Sequence, residues 1–242
     1  MGQLIMNGIQ LINKLTNKIL HRDFEFSKDI PTGYLVRICL ERSAMLFRGF
    51  FLRGLKSRRG KLFIGKKVKI YCKSKISVGH CVSLQDGVLL NALSKDGVVL
   101  EDNVSIGMRS TIKVSGSLMA VGKGFRMGHD SSMANDCFVG AAGGVEIGSY
   151  VAIGQNVRFH SENHEFRDRS KKICEQGVSN KGIKIGDDCW IGAGAVILDG
   201  VTIGNGCVIG ANTLVNKNVP DYSIAAGNPV RIIGERGISN KE

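Results

Sequence analysis

Proline and aromatic residues are scarce in this sequence: there are three prolines in 242 residues, and aromatic residues make up 6% of the chain. Glycine, by contrast, is abundant, at 32 residues. The chain is 43% hydrophobic and 22% charged, which argues against disorder, since disordered segments combine high charge with few β-branched residues. Abundant glycine with little proline indicates tight corners between short strands.

Cysteine motifs are also missing. The seven cysteines are an odd number and none of them forms a CxxC pair, so the sequence indicates neither a disulfide framework nor a zinc site. We therefore expect no bound metal and a reducing, cytoplasmic location. No window of about 18 residues lacks a charge, and the N-terminus lacks the pattern of a secretory signal, so we expect neither a transmembrane helix nor a leader.

Acidic residues are few near the N-terminus. The formal net charge is +12, and residues 1–61 contain 12 lysines and arginines against 4 aspartates and glutamates, so this segment alone carries +8. No recognised nucleic-acid-binding motif accompanies the charge, and we expect no nucleic-acid partner. A membrane surface or an anionic substrate is compatible with such a segment.

A six-residue repeat dominates the C-terminal half. Aliphatic residues recur at Ile185, Ile191, Ile197, Ile203, Ile209 and Val215. Four residues into each unit comes a small or branched residue: Cys189, Ala195, Val201, Cys207, Thr213 and Val219. Shorter sections with the same spacing come earlier, such as Ile64, Ile70 and Ile76, or Leu100, Ile106 and Ile112.

Sections of about three units predict a coil with three sides, in which each unit is a short strand plus a corner and the aliphatic residue points inward. An antiparallel β-sandwich would instead show a period of two with turns about every 8–12 residues. The sequence therefore predicts a mainly β fold, a parallel β-helix over residues 63–219.

The two ends of the chain lack the repeat. In residues 1–62, one helical stripe runs from Leu4 to Ile19, and after Pro31 a second helix places four apolar residues on one face: Val36, Leu40, Phe47 and Phe51. This basic segment is interpreted as a cap on the open end of the coil or as an interfacial helix on the inner membrane, and the two are compatible. Pro220 cannot donate to a ladder and is expected to end the coil, leaving 220–242 as a cap and tail.

A long interruption of the repeat begins after Phe159, and the repeat resumes at Ile185. The polar segment between them carries His160 and His164. A flat wall of strands has no cleft, whereas a loop that leaves the wall can form one. We therefore expect an extruded loop over about 160–182 that carries the chemistry.

The stretch IGDDCWIGAGAVILDGVTIGNGCVIGANTLVNKNVPDYSIAAGNPVRIIGER (185–236) resembles the C-terminal signature of the hexapeptide-repeat acyltransferases. It is most similar to the sugar O-acetyltransferase branch, which includes the galactoside and maltose enzymes and many enzymes of bacterial surface-polysaccharide synthesis, such as those of O-antigen and capsule. HSENHEF (160–166) strengthens the link to the polysaccharide branch. The resemblance implies a left-handed coil and a homotrimer whose extruded loop reaches over the neighbouring subunit.

The resemblance also assigns the catalytic histidine to His164 rather than His160. A sugar hydroxyl is a poor nucleophile at neutral pH, and histidine, with an ordinary pKa of about 6.5, is suited to take its proton. His160, Glu162 and Asn163 are candidates for orienting the acceptor, and the resemblance adds Asn135.

Acetyl-CoA is the acyl donor that the resemblance implies, without a metal. It would lie in a groove between neighbouring coils, in contact with four residues: Ala193, Ala211, Asn216 and Lys217. Arg231 would lie near the nucleotide phosphates, where a cation has a favourable electrostatic role. Trp190, one residue before a repeat aliphatic, is expected to point outward and to line the cleft or pack at a subunit contact.

Three functions stay open from the sequence. The leading one is acetyl-CoA-dependent O-acetylation of a sugar or glycan, with a lipid-linked acceptor giving residues 1–62 a purpose at the membrane. N-acetylation of an amino-sugar nucleotide is the second. A non-catalytic β-helix used as an assembly scaffold is the third, and the histidine in the loop and the intact C-terminal signature argue against it.

Overall fold

The computed structural model describes Ser27 and residues 29–237. The predicted helical stripe from Leu4 to Ile19 lies outside the described residues. The described chain has one α-helix, α1 (Thr32–Phe51), two short 3-10 helices (Lys73–Lys75 and Ile173–Glu175) and 25 short strands. No helix in the described ranges is long and apolar enough to cross a membrane.

Twenty-three strands form three walls of a prism. Wall A contains β1 (Ser57–Arg58), β4 (Ile76–Val78), β7 (Ser94–Leu100), β10 (Gly122–Met127), β13 (Val145–Ile147), β18 (Ile183–Ile185) and β21 (Thr202–Ile203). Wall B contains β2 (Leu62–Ile64), β5 (Val82–Leu84), β8 (Ser105–Ile106), β11 (Ser132–Met133), β14 (Ala152–Ile153), β19 (Trp190–Ile191), β22 (Val208–Ile209), β24 (Ser223–Ala226) and β25 (Arg231–Glu235). Wall C contains β3 (Lys69–Tyr71), β6 (Leu89–Asn91), β9 (Thr111–Lys113), β12 (Phe138–Gly140), β15 (Arg158–His160), β20 (Val196–Leu198) and β23 (Leu214–Val215). Within each wall the strands are parallel, except that β25 runs antiparallel to β24.

The strand register gives the length of each coil. Trp190 pairs with Val208, eighteen residues further along the chain, which is three six-residue units. Ala152 pairs with Trp190, thirty-eight residues further along, because this coil contains the extruded loop. Ser105 pairs with Ser132, twenty-seven residues further along, because a smaller insertion leaves the same corner of the prism, between walls C and A.

The core of the prism confirms the repeat. The six aliphatic residues from Ile185 to Val215 are each at most 4% exposed, and so are the six small or branched residues four positions into each unit. Both sets point inward because each six-residue unit makes one wall and one corner. The seven cysteines are all free, and Cys137, Cys189 and Cys207 are buried at these small positions.

Glycine is required where neighbouring coils nearly touch. At Gly192, which follows β19 at the corner between walls B and C, an added Cβ would lie 2.5 Å from the backbone nitrogen of Ala211 and 2.7 Å from the carbonyl oxygen of Ile209. Contacts under 3.0 Å to backbone atoms force the chain to move. The glycine that follows the repeat aliphatic therefore allows neighbouring coils to approach at ladder distance.

Helix α1 lies against the outside of wall B. Met45 packs on Phe63 and Cys81, and a Cβ at Gly49 would meet the carbonyl of Leu62, so the helix approaches β2 very closely. The face predicted from sequence, with Val36, Leu40, Phe47 and Phe51, is exposed instead. Both faces of α1 are apolar, so the pattern alone did not show which one packs.

The parallel ladder extends beyond both expected limits, 63 and 219. It begins at β1, where Ser57 pairs with Ser77, and it ends at β24, where Ile224 pairs with Val208. Pro220 does not end wall B, because it lies in the corner before β24, where no ladder donor is needed. β25 then folds back antiparallel on β24 and forms the last strand of the wall.

Candidate active site

The extruded loop leaves wall C at Ser161, directly after β15. Ser161 is fully buried. Its hydroxyl donates to the carbonyl of Gly140 at 2.9 Å and accepts the backbone N–H of Gly143 at 3.0 Å. These bonds tie the start of the loop to the coil before it, so the chain leaves the prism in a defined direction.

Inside the loop a small antiparallel ladder holds the chain together. β16 (Asn163–His164) pairs with β17 (Val178–Ser179), and His164 stands opposite Val178. The Gln176 side chain bridges the rest of the loop: its amide donates to the carbonyls of Asp168 at 2.9 Å and Lys171 at 3.0 Å, and its oxygen accepts the Asp168 N–H at 3.0 Å. The loop is therefore a small folded unit rather than an open excursion.

The returning end of the loop is fixed by the coil that follows. The carboxylate of Asp199 accepts the N–H of Lys181 at 2.9 Å and the N–H of Gly182 at 2.7 Å. β18 then begins at Ile183 and continues wall A. Both ends of the loop are thus fastened to rigid backbone on either side.

A cleft of about 690 Å³ lies along this loop. It is lined by Asn163, His164, Glu165, Phe166, Arg167, Ile173, Ser179 and Lys181. The imidazole of His164 is exposed and forms no hydrogen bond or ion pair with any described residue. A side chain with free ring nitrogens on a fixed backbone can accept a proton from a bound hydroxyl.

Of the predicted acceptor residues, Asn163 lines the cleft, whereas His160 and Glu162 do not. His160 is on the outer face of wall C, where its ring lies 5.5 Å from that of Phe138. Burial, and next the charge of Arg158, lower the pKa of His160 below its ordinary range. Glu162 points back towards the smaller insertion, where an added Cβ at Gly116 would lie 3.0 Å from its carboxylate.

The corner between walls B and C gathers a second group of predicted residues. Asn135, Ala193 and Ala211 each stand two residues after the buried repeat residue of β11, β19 and β22, so they form one column along the prism. The oxygen of the Asn135 side chain accepts the N–H of Met108 at 2.9 Å. Ala193 and Ala211 are exposed, and their small side chains leave room along this corner. Trp190, on the outer face of β19, is 57% exposed.

The remaining predicted donor contacts are dispersed. Asn216 and Lys217 are exposed after β23, at the corner from which the extruded loop leaves two coils earlier. Arg231 is exposed at the start of β25. Within one chain, the structure therefore places His164 at one corner of the prism and the column of Asn135, Ala193 and Ala211 at another.

Sequence reasoning missed several residues that shape the cleft or hold the loop: Ser161, Phe166, Arg167, Ile173, Gln176, Ser179, Lys181 and Asp199. The repeat could have predicted that Ser161 is buried, because it follows Phe159 by two positions, just as the buried Ala141 follows Val139. No sequence pattern indicates the role of Asp199, since its partners lie in a loop outside the repeat. Across the residues that the structure describes, no group of three or more potential metal ligands comes together.

A family model matches part of the six-residue repeat. Residues 182–217 match the family model described as bacterial transferase hexapeptide (six repeats). This match lies within the six-residue repeat described above, and the predicted left-handed parallel β-helix is confirmed.

Individual relatives are named as acetyltransferases. A probable acetyltransferase of Mycobacterium tuberculosis is 30% identical over 182 residues, which are 75% of this chain and 52% of the relative. A galactoside O-acetyltransferase of Lactococcus lactis is 37% identical over 87 residues, 36% of this chain and 41% of the relative. The chain spans about half the length of the curated relatives it matches.

Solved structures show the same fold. A mutant of an N-acyltransferase from Bacillus cereus, in complex with dTDP-4-amino-4,6-dideoxyglucose and coenzyme A, aligns with a TM-score of 0.51 at 19% identity. The alignment covers 86% of this chain and 91% of that chain. The likeness is one of fold.

Proposed function

We propose that this chain is an acyltransferase that moves the acetyl group of acetyl-CoA to a hydroxyl of a sugar, within a bacterial surface polysaccharide or its precursor. The observation that carries the proposal is His164: an exposed imidazole without a partner among the described residues, on a loop fixed at both ends, beside a cleft of about 690 Å³. The curated relatives named as acetyltransferases support the class of reaction.

His164 acts as the general base. Its neutral ring nitrogen takes the proton of the sugar hydroxyl while the oxygen attacks the thioester carbonyl, and a tetrahedral intermediate forms. The intermediate expels the thiolate of coenzyme A, which takes the proton back from the imidazolium. General-base assistance supplies a rate factor of roughly 10²–10⁴. No covalent intermediate with the enzyme is needed.

The donor binds at the corner between walls B and C. Ala193 and Ala211 leave an exposed track of small residues there, which suits a thin pantetheine arm, and Trp190 stands beside it. Lys217 and Arg231 are exposed cations, available to nucleotide phosphates. His164 lies at a different corner, so one chain does not bring base and donor track together.

A homotrimer solves this geometric problem. In a threefold assembly with parallel prisms, the loop corner of one chain faces another corner of its neighbour. His164 from one copy then meets the column of Asn135, Ala193 and Ala211 from the next. We propose that each of three equal sites is shared between two chains, in the cytoplasm, and that contact of the N-terminal region with the inner membrane brings a lipid-linked acceptor to it.

N-acetylation of an amino-sugar nucleotide is the second candidate. The Bacillus cereus protein with the same fold is an N-acyltransferase solved with an amino-sugar nucleotide. An amine is a better nucleophile than a hydroxyl, so this reaction depends less on a base. The third reading, a scaffold, is disfavoured by the open cleft around His164.

Mass spectrometry of acetyl transfer tests the proposal. The full chain is incubated with acetyl-CoA and a panel of nucleotide sugars, amino sugars and lipid-linked glycans, and binding of acetyl-CoA is measured separately by calorimetry. Addition of one acetyl group to a sugar hydroxyl is the expected result. Acetylation of amines alone would favour the N-acetyltransferase over the O-acetyltransferase. If no product forms and acetyl-CoA does not bind, the scaffold hypothesis remains.

A further inference from the structure

Helix α1 is apolar on two opposite faces. One face packs against wall B through Met45 and Gly49. The other carries Val36, Leu40 and Phe47, all exposed. A helix on the surface of a water-soluble protein normally turns a polar face to solvent, so this second face calls for an apolar environment.

The last turns of α1 concentrate the exposed apolar surface. Phe47, Phe50 and Phe51 are 66%, 70% and 57% exposed. Their rings contact one another edge to face, with centroids 4.9 Å apart for Phe47 and Phe51 and 5.3 Å apart for Phe50 and Phe51. This phenylalanine cluster (Phe47, Phe50 and Phe51) is an exposed aromatic patch, and contiguous patches of this kind mark interaction surfaces.

The chain around the cluster is strongly basic. Residues 42–85 contain twelve lysines and arginines and no aspartate or glutamate, as many positive charges as the net charge of the whole protein. Nine of the twelve are exposed: Arg42, Arg53, Lys56, Arg59, Lys66, Lys67, Lys69, Lys73 and Lys75. Within the described part of the chain, Arg59 is the one of these nine with a carboxylate partner, Asp102 at 2.9 Å.

The fold arranges this basic stretch (residues 42–85) around one end of the prism. Arg53 and Lys56 follow the phenylalanine cluster directly. The next residues form the first coil, in which Lys66 and Lys67 occupy the corner between β2 and β3. Lys73 and Lys75 belong to the 3-10 helix between β3 and β4. Positive charge therefore surrounds the end of the coil at which α1 packs against wall B.

We propose that this end of the protein docks on an anionic lipid surface. The phenylalanine cluster enters the boundary between headgroups and acyl chains, and the basic stretch binds the negatively charged headgroups. Charge complementarity favours this occupant over a second copy of the chain, whose identical surface would be equally positive. Nucleic acid would match the charge but offers no apolar phase for Val36 and Leu40. This inference rests on the membrane contact included in the proposed function and specifies its surface, while the acetyl transfer itself does not depend on it.

Vesicle flotation of the full chain tests the docking. The probes are vesicles of phosphatidylcholine alone and vesicles with about a third phosphatidylglycerol. We expect binding to the anionic vesicles only, falling steeply between low and physiological salt. Changing all three rings, Phe47→Ser with Phe50→Ser and Phe51→Ser, should lower the partition coefficient about tenfold or more, because the apolar anchor is lost.

Matched controls separate docking from general effects. Leu118→Ser with Met119→Ser removes two exposed apolar residues from the smaller insertion between β9 and β10. We expect this variant to float like wild type. Lys66→Gln with Lys67→Gln should weaken binding about tenfold. Lys123→Gln with Lys184→Gln, which removes equal charge from later coils of wall A, should not.

Three outcomes would overturn the proposal. The first is negligible flotation of the wild-type chain on anionic vesicles. The second is flotation that the phenylalanine changes leave intact while light scattering shows a smaller oligomer, which would make the cluster an interface between copies. The third is tighter binding to a single-stranded RNA than to the vesicles, with the RNA displacing them. Circular dichroism of each variant verifies that the fold is retained.

Discussion

His164 stands opposite Val178 in the antiparallel ladder of the extruded loop, so the backbone of the proposed base is fixed while its imidazole stays free. A base that must reach a bound hydroxyl benefits from a defined origin, because misplacement by about 1 Å can cost about 10²-fold in rate. The loop obtains this rigidity from backbone pairing, from Gln176 and from anchors in the flanking coils. Substitutions at the anchors should therefore affect turnover without touching the cleft.

Asp199→Ala tests the anchor at the returning end. It removes the acceptor for the N–H groups of Lys181 and Gly182, so we expect turnover to fall about tenfold or more and amide hydrogen exchange to accelerate across 161–182. Asp187→Ala is the matched control, because Asp187 accepts the N–H of Ser149 at 2.7 Å at a corner without the loop. Equal losses of turnover in the two variants would show that the anchor has no special role.

Gly192→Ala tests the close approach of neighbouring coils. The added Cβ would meet the backbone of Ala211 at 2.5 Å, and we expect a loss of about 1–3 kcal/mol in the free energy of unfolding. At Gly33 in α1 nothing lies within 4 Å of the new Cβ, so Gly33→Ala should be neutral or stabilise by up to about 1 kcal/mol. Denaturant titration of both variants measures the two changes in the free energy of unfolding. No change for Gly192→Ala would refute the steric explanation.

Mixed assemblies test whether each site is shared between chains. His164→Ala lacks the base and Ala211→Trp blocks the donor track, so each variant alone should be inactive. In randomly mixed trimers about a quarter of the sites combine an intact His164 with an intact Ala211 from the neighbour, and that fraction of wild-type activity should return. Co-expression with two affinity tags gives the mixed species. Activity that stays absent in the mixture would place both residues in the site of one chain.

Cys189 predicts a specific response to alkaline pH. Burial raises the pKa of this thiol to about 11 from an ordinary value of 9.0. As the pH rises from about 9 to about 11, the unfolded chain gives up the thiol proton while the folded chain keeps it, so the unfolded state binds fewer protons and stability falls. Cys189→Ala removes this loss, and Ala195 shows that the equivalent position accepts alanine. The stability difference between wild type and variant should shrink from pH 8 to pH 10 in denaturant titrations; a constant difference would contradict the burial effect.

The sequence was sufficient to predict the prism because one repeat gives both the spacing of the strands and the direction of their side chains. An aliphatic residue every six positions also fixes which side chains point inward, so the repeat alone predicts that the six aliphatic residues from Ile185 to Val215 lie in the core. The loop could be located for the same reason, as the stretch in which the repeat stops between Phe159 and Ile185.

Corner positions were harder to interpret from the sequence. The partner of Asn135 is the N–H of Met108 in the previous coil, and Asp199 holds a loop that begins almost forty residues before it. Such pairs depend on the register between coils, which insertions of different length change from coil to coil. Similarly, α1 was predictable as a helix, but two apolar faces gave no basis for choosing the one that packs.

Turnover of His164→Ala beside His160→Ala tests the central claim most directly. Both are histidines of the same segment, but His164 lines the cleft and His160 lies against Phe138 on the outside of wall C. With product counted by mass spectrometry, we predict a loss of about 10²–10⁴-fold in turnover for His164→Ala and less than about tenfold for His160→Ala. A loss of less than about tenfold for His164→Ala, with acetyl-CoA still bound, would contradict its role as the base.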